Sequence, residues 1–220
     1  MHFQAVVFDL DGLMFDTEAL FFRVSCEVLR ARGKVFTPEM MQAMIGRRAV
    51  DAGHSLKTLG GLEEPAELLL SEVRERFMAL LDTAVHPTPG LFELLEHLRR
   101  KGLPLAVATS SRRAFAERLL SQHGLLDRFA FVLTSEDVTR GKPDPEIYRS
   151  AAERFGISPG SMLVLEDSAA GVEAAKEAGA FAVGVPHEHS PASGLVCADL
   201  LVERLDSGVL LRLIDGPLGE

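Results

Sequence analysis

The chain has 220 residues, 47% of them hydrophobic and 25% charged, a balance that suits one sizeable globular domain or two smaller ones with real cores. A formal charge of −9 with no basic run argues against a nucleic-acid partner. No apolar stretch is long enough for a bilayer, no secretion leader opens the chain, and Cys26 and Cys197 are too few for a disulfide framework and lack metal spacing; the expectation is a cytoplasmic protein with no membrane partner.

Ala5 to Phe8 is a continuous apolar run closed within a few residues by Gly12, the pattern of a buried strand in a parallel sheet. Helical periodicity follows from about Ala19 to Arg32 and stops at Gly33. Thr37-Pro38-Glu39 reads as a cap with proline in the first helical position, with Met40, Met41, Met44 and Ile45 as the apolar face and Gly46 as the stop. Further helices are predicted over Arg48 to Leu59, closed by Gly60-Gly61, and over Pro65 to Leu81. No strand pattern occurs between Thr17 and Leu81.

Beyond the loop-like residues from Asp82 to Gly90 the pattern alternates. A helix over Leu91 to Arg100 leads through Gly102 into a strand, Leu103 to Thr109. A helix over Arg113 to Gln122 precedes a short strand, Phe131 to Leu133, and Asp144-Pro145 introduces a helix to about Phe155. Met162 to Leu165 is a fourth strand, Ala169 to Ala178 a helix halted by Gly179, and Phe181 to Val185 a fifth strand. Leu200 to Val202 and Val209 to Ile214 supply a sixth strand and a closing helix. Strands alternating with helices predict an α/β fold, a doubly wound, parallel, Rossmann-like core, with an α-helical cap inserted after the first strand. The expected boundaries are 1–15 and 88–220 for the core and 16–87 for the cap, with hinges near Phe15-Asp16 and Asp82 to Pro89.

Asp9 and Asp11 follow the first strand. If strand geometry persists, side chains two apart point the same way and both carboxylates reach one site. If the chain has begun to turn, Asp9 presents its carboxylate while Asp11 offers its main-chain carbonyl. Adjacent acids repel and desolvation raises their pKa, a penalty that a divalent cation removes; hard oxygen ligands suit Mg²⁺. The pair therefore predicts metal-assisted phosphoryl transfer with one Asp as nucleophile, against the plainer reading of an acidic turn. In open α/β sheets ligands lie beyond the carboxyl ends of the strands, where Thr109-Ser110-Ser111, Lys142 and Glu166-Asp167 also fall. Thr109 and Ser110, opening a helix, would seat an anion. Lys142 would neutralise phosphoryl oxygens and the nucleophile, and Asp167 would add a metal oxygen. Taken singly, these residues have plain readings as helix caps or solvated surface.

Together DLDGLMFDTE (9–18), ATSS (108–111), GKPDPEIY (141–148) and VLEDSAAGVEAAKEAG (164–179) resemble the haloacid dehalogenase-like hydrolase superfamily, in its branch with a helical cap after the first strand. The resemblance covers the core and all four motifs in order; the cap matches in position and helical character. It implies Asp9 as nucleophile through an aspartyl-phosphate and Asp11 as general acid and base. It also implies Mg²⁺ held by Asp9, the Asp11 carbonyl and Asp167, with Glu166 nearby, and a phosphoryl group held by Thr109, the Ser110 amide and Lys142. Members that remove halide lack the second Asp and the magnesium ligands, so Asp11 and Asp167 argue against dehalogenation. The sugar phosphomutase branch carries a histidine in the first cap helix where this chain has Phe21-Phe22, and its cap arginine finds only the displaced Arg47-Arg48. These departures favour a phosphatase for small phosphorylated metabolites, sugar phosphates or nucleoside monophosphates, with IGRRAV (45–50) similar to the caps of such enzymes.

Arg47, Arg48, His54 and Lys57 are candidate readers of the leaving group, and Glu18 stands either near substrate or merely at a helix N-terminus. His187-Glu188-His189 has the look of a metal pair, but without a third ligand at suitable spacing it reads as loop. The rival functions are a phosphomutase and a non-enzymatic phospho-acceptor of the receiver type, whose acceptor Asp would follow a mid-chain strand. A monomer is the default expectation.

Overall fold

The structure, a computed structural model, describes residues 2–45 and 49–216. The apolar run at the start forms β1 (Ala5–Phe8), every residue of it buried. It is flanked by β2 (Leu105–Ala108) and β4 (Met162–Glu166), and the sheet extends through β3 (Phe131–Leu133), β5 (Phe181–Gly184) and β6 (Leu200–Leu201). Spatial order is β3-β2-β1-β4-β5-β6 with every neighbouring pair parallel. The order reverses direction between β1 and β4, which opens a crevice beyond their carboxyl ends.

Strand alternation divides the core into two layers. Val6, Phe8, Leu105, Val107, Leu163 and Leu165 pack into one cluster, and Val7, Ala106, Ala108, Met162 and Val164 into the other. Side chains two apart on a strand share a face, so both faces must be covered by helices. The first layer is completed by α1 (Thr17–Arg30), α4 (Ala66–Ala84), α5 (Leu91–Lys101), α6 (Arg113–Gln122) and α9 (Gly208–Asp215). The second is covered by α7 (Glu146–Phe155) and α8 (Ala169–Ala178). Two further helices, α2 (Pro38–Gln42) and α3 (Ala49–Gly60), lie with α1 and α4 in the block between β1 and α5. No strand occurs in that block among the described residues.

Capping chemistry explains where these helices start. Asp16 Oδ1 accepts the Ala19 amide at 3.3 Å, so α1 opens at Thr17, two residues before its apolar periodicity begins. Thr37 caps α2 through the Met40 amide at 3.3 Å, with Pro38 at the first helical position. Arg32, expected inside α1, lies just beyond it. Its guanidinium returns to the Val28 carbonyl at 3.0 Å and reaches Glu64 and, on α4, Glu72 at 3.0 and 2.7 Å. The expected stop of α2 at Gly46 lies outside the described residues.

The segments that enter and leave the helical block run side by side. The Asp16 amide donates to the His86 carbonyl at 3.0 Å, the Thr88 amide to that of Met14 at 2.9 Å, and the Thr88 hydroxyl to that of Leu13 at 2.6 Å. Among the described residues no helix is long and apolar enough to cross a membrane.

Candidate active site

Sheet register assembles the site. Phe8 pairs with Val107 on one side and Leu165 on the other, so the next residues along, Asp9, Ala108 and Glu166, stand abreast. The Asp9 amide continues the ladder to the Leu165 carbonyl at 3.0 Å. Glu166 follows Met162 and Val164 on the face covered by α7 and α8. Into this row comes Lys142, from the loop before α7. Its ammonium spends its three donors on Asp9 Oδ1 at 2.5 Å, Glu166 Oε1 at 2.6 Å and the Ala108 carbonyl at 2.9 Å.

All three charged groups are buried, with Lys142 only 3% exposed. Burial alone would discharge the ammonium, but Asp9 and Glu166 hold the Lys142 pKa well above the ordinary lysine value. Burial likewise drives the Asp9 carboxyl well above its usual range, and Lys142 opposes that rise. Glu166 is immobilised from every side. Tyr148, on α7, donates its phenol to Oε1 at 2.5 Å, and its ring lies under the Lys142 ammonium, 5.1 Å from ring centre. The Ser168 amide and hydroxyl take Oε2 at 3.2 and 3.0 Å. Ser168 also caps α8 by accepting the Gly171 amide at 3.0 Å, and a Cβ at Gly171 would fall on the Glu166 carboxyl.

Strand geometry ends at Phe8, so Asp9 and Asp11 do not point their side chains at one spot. The Asp11 carboxylate turns to three hydroxyls: Thr17 at 2.9 Å, Thr109 at 3.2 Å and Ser111 at 2.7 Å. Burial raises its pKa and those hydroxyls offset part of the rise. A carboxyl whose pKa is raised keeps its proton to higher pH than an exposed one, which suits a group asked to give up and take back a proton. The hydroxyl tripeptide does not cap the helix that follows: α6 begins at Arg113, as expected, without a side-chain cap, while Thr109 Oγ1 accepts the Ser111 amide at 3.0 Å and the Thr109 and Ser111 hydroxyls donate to Asp11.

On the other side of Asp9 lies Asp167. Asp9, Glu166 and Asp167 each bring a carboxylate oxygen within 4.8 Å of the others. Asp167 Oδ2 is 2.9 Å from His187 Nε2, whereas Oδ1 is buried and makes no hydrogen bond among the described residues. A buried carboxylate oxygen without a partner is costly, and a hard divalent cation is the ligand that an excess of carboxylates in one buried cluster fits. Burial and the neighbouring Glu18 push the Asp167 pKa up to about 8 against the pull of His187. Glu18 is also buried, with Oε2 3.1 Å from the same His187 nitrogen, and burial raises its pKa to about 6. Gly12, at φ +83°, permits this convergence, since a Cβ there would overlap the Asp167 carboxyl.

Comparison with known proteins agrees with this geometry. The family model described as haloacid dehalogenase-like hydrolase matches residues 6–185. The chain belongs to the haloacid dehalogenase-like hydrolase family. It is 34% identical over 205 residues to validoxylamine A 7'-phosphate phosphatase of Streptomyces hygroscopicus subsp. limoneus, covering 92% of this chain and 94% of that one. It is 32% identical to beta-phosphoglucomutase of Bacillus subtilis, covering 96% and 93%. A crystal structure of a haloacid dehalogenase family hydrolase from Deinococcus radiodurans R1, with bound phosphate and sodium, superposes with a TM-score of 0.74 at 31% identity over 92% of each chain. Phosphoric monoester hydrolysis is the activity that the family and its phosphatase relative support.

The hydrolase thus gathers Asp9, Lys142, Glu166 and Asp167 into one buried cluster, with Asp11 and Thr109 alongside and Ser110 half-buried next to them. Glu18, left open between two roles by its sequence, faces the cluster through His187. His54 and Lys57 are exposed on α3, and Arg47 and Arg48 lie outside the described residues. His187 lies in a loop, as its sequence suggests, but it is not an isolated surface ring. It sits in the loop after β5, but its ring joins Asp167 and Glu18, whose positions 20 and 169 residues away no local spacing reveals. Tyr148 and Thr17 were also missed as site residues. The only sequence signal for Tyr148 was a polar tip on the apolar face of a helix, the kind of side chain that finds a partner when buried.

Proposed function

We propose that the protein is a Mg²⁺-dependent phosphatase that hydrolyses small phosphomonoesters, sugar phosphates or nucleoside monophosphates, through an aspartyl-phosphate on Asp9. The observation that carries this reading is the buried row Asp9–Lys142–Glu166 beside Asp167. Asp9, Asp167 and the main-chain carbonyl of Asp11 would hold the ion. When bound, Mg²⁺ supplies positive charge that offsets the clustered carboxylates and polarises phosphoryl oxygens.

Asp9 attacks phosphorus as the bond to the leaving oxygen breaks, and protonated Asp11 delivers its proton to that oxygen. Asp11, now ionised, takes a proton from water as the water oxygen bonds to phosphorus and Asp9 is released. Lys142 stays fixed between Asp9 and Glu166, compensating charge on the nucleophile, while Thr109 and the Ser110 amide seat the phosphoryl oxygens. In the same reading residues 1–15 and 88–220 are the catalytic core and 16–87 a cap hinged at the paired Asp16 and His86 segments. The cap would exclude water and read the leaving group, with Arg47 and Arg48 as candidate readers.

Hydrolysis is favoured over isomerisation because Phe21 and Phe22 stand where the mutase branch carries a histidine in the first cap helix. Phe21 packs on Phe77 and Phe22 on Phe36, as apolar filling. The net charge of −9 and two free cysteines support a cytoplasmic protein without a nucleic-acid partner, and a monomer is the working assumption. The test is phosphate release from a panel of sugar phosphates and nucleotides, with Mg²⁺ and with chelator. Sustained, Mg²⁺-dependent release that Asp9→Asn abolishes is expected. Labelled sugar phosphate recovered as an isomer, or single-turnover labelling without release, would overturn it.

A further inference from the structure

Four residues after β5 make a closed turn. The His187 amide donates to the Ser190 carbonyl at 3.0 Å and the Ser190 amide returns to the His187 carbonyl at 3.1 Å. Both ends of the turn grip the same residue. Ser190 Oγ donates to the Asp167 main-chain carbonyl at 2.5 Å, and His187 Nε2 meets Asp167 Oδ2 at 2.9 Å. Between them His189 stacks on Phe22 of α1, ring centres 5.1 Å apart and planes 21° from parallel, which fixes the turn against the helix that carries Glu18.

The proton that His187 offers is defined by its other nitrogen. The His189 amide donates to Nδ1 at 3.2 Å, which leaves the ring proton on Nε2. Nε2 therefore acts as donor to Asp167. A carboxylate pinned at Oδ2 and at its own main chain has little freedom to rotate. Its remaining oxygen, Oδ1, is the buried atom without a hydrogen bond among the described residues. A transition-metal site on Glu18, Asp167 and His187 is disfavoured by the same contact, because ligation at Nε2 would need a proton on Nδ1, where the His189 amide points.

We infer that His187 is a positioning residue that fixes the Asp167 carboxylate and presents Oδ1 to the metal ion. This rests on the reading of the acidic cluster as a Mg²⁺ site. Outer partners that hold a ligating group in place commonly account for 10–100-fold in metal affinity. The role differs from that of Glu18, which meets the same nitrogen at 3.1 Å from α1 but leaves its own oxygen without a hydrogen bond.

The experiment is calorimetric titration of Mg²⁺ into metal-free wild-type protein and into His187→Ala, His187→Gln and His189→Ala. Glutamine keeps an N–H donor near the place of Nε2, and His189→Ala removes the stack but keeps the amide that bonds Nδ1. The expected result is about 10–100-fold weaker binding by His187→Ala, substantial recovery in His187→Gln, near wild-type binding by His189→Ala, and a Mg²⁺ requirement for activity that moves in parallel. If His187→Ala is too unstable to titrate, His187→Gln set against His187→Asn, whose shorter amide falls short of Oδ2, gives the same comparison. Wild-type binding matched by His187→Ala, or a loss that His189→Ala reproduces in full, overturns the His187 role and leaves the phosphatase reading untouched. Wild-type protein that binds no Mg²⁺ overturns both.

Discussion

Lys142 Nζ and Asp9 Oδ1 lie 2.5 Å apart although 133 residues separate them in the chain. The lysine is also 2.6 Å from Glu166, so one buried cation serves two buried carboxylates. Removing one member of such a group leaves its partners buried without their counter-charge, which costs far more than the intact arrangement contributes. Lys142→Met should therefore lose about 3–5 kcal/mol of stability as well as turnover. Urea denaturation compared with wild type checks this, and an unshifted midpoint would refute it.

Asp11 is held by three hydroxyls, apart from the Lys142 row. If its task is proton transfer, Asp11→Asn should fold normally and lower kcat by roughly 10²–10⁴. The loss should be smaller on an aryl phosphate with a good leaving group than on a sugar phosphate, because the former needs less protonation. Steady-state kinetics on both substrates decides the matter; equal losses on the two would point to a purely structural Asp11.

Gly12 occupies a left-handed conformation beneath Asp167. Gly12→Ala should cost about 1–2 kcal/mol for the backbone alone and should also displace the carboxyl that its new Cβ overlaps. Thermal unfolding should report the first effect and a raised Mg²⁺ requirement the second. A variant that is destabilised with an unchanged Mg²⁺ requirement would separate the backbone strain from the site.

Beyond the site, Asp137 closes the turn after β3. Its Oδ2 receives the Thr134 amide at 2.8 Å, the Thr134 hydroxyl at 2.7 Å and Arg113 at 2.5 Å. Desolvation would raise its pKa, but these donors together hold it below the ordinary carboxylate value. A lowered folded-state pKa gives stability that is present above the unfolded value, near 3.9, and is lost as pH falls through the folded one. Asp137→Asn should thus be less stable than wild type by about 1–3 kcal/mol at pH 7, the gap narrowing as pH drops below about 4. Urea curves at pH 7 and pH 3 test the sign, and a gap that widens in acid would refute it.

Much of this was legible before any coordinates, and for definable reasons. The runs at Ala5, Phe131 and Met162 are short and apolar, and each is a strand where expected. Gly179 stops α8 in a left-handed cap, as its position implied. Asp9, Lys142 and Asp167 could be placed on one rim because carboxyl ends of parallel strands share an edge. What could not be read was the direction of side chains beyond those ends. Asp11 departs from Asp9 because β1 stops at Phe8, and no residue type announces that. Thr109 to Ser111 look like a helix opening, yet the hydroxyls of Thr109 and Ser111 serve an acid 98 and 100 residues upstream. His187 and Glu18 meet only through the fold, and the neighbouring His189 made the pair resemble something else.

The segments that lead into and out of the helical block meet at Asp16 and His86, whose main-chain groups are bonded to each other at 3.0 Å. Departure and return at a single point make the helical block a detour rather than a link, since β1 and β2 lie side by side whatever hangs between them. Under the proposed division into core and cap, an insertion or deletion within that detour leaves the threading of the sheet as it is.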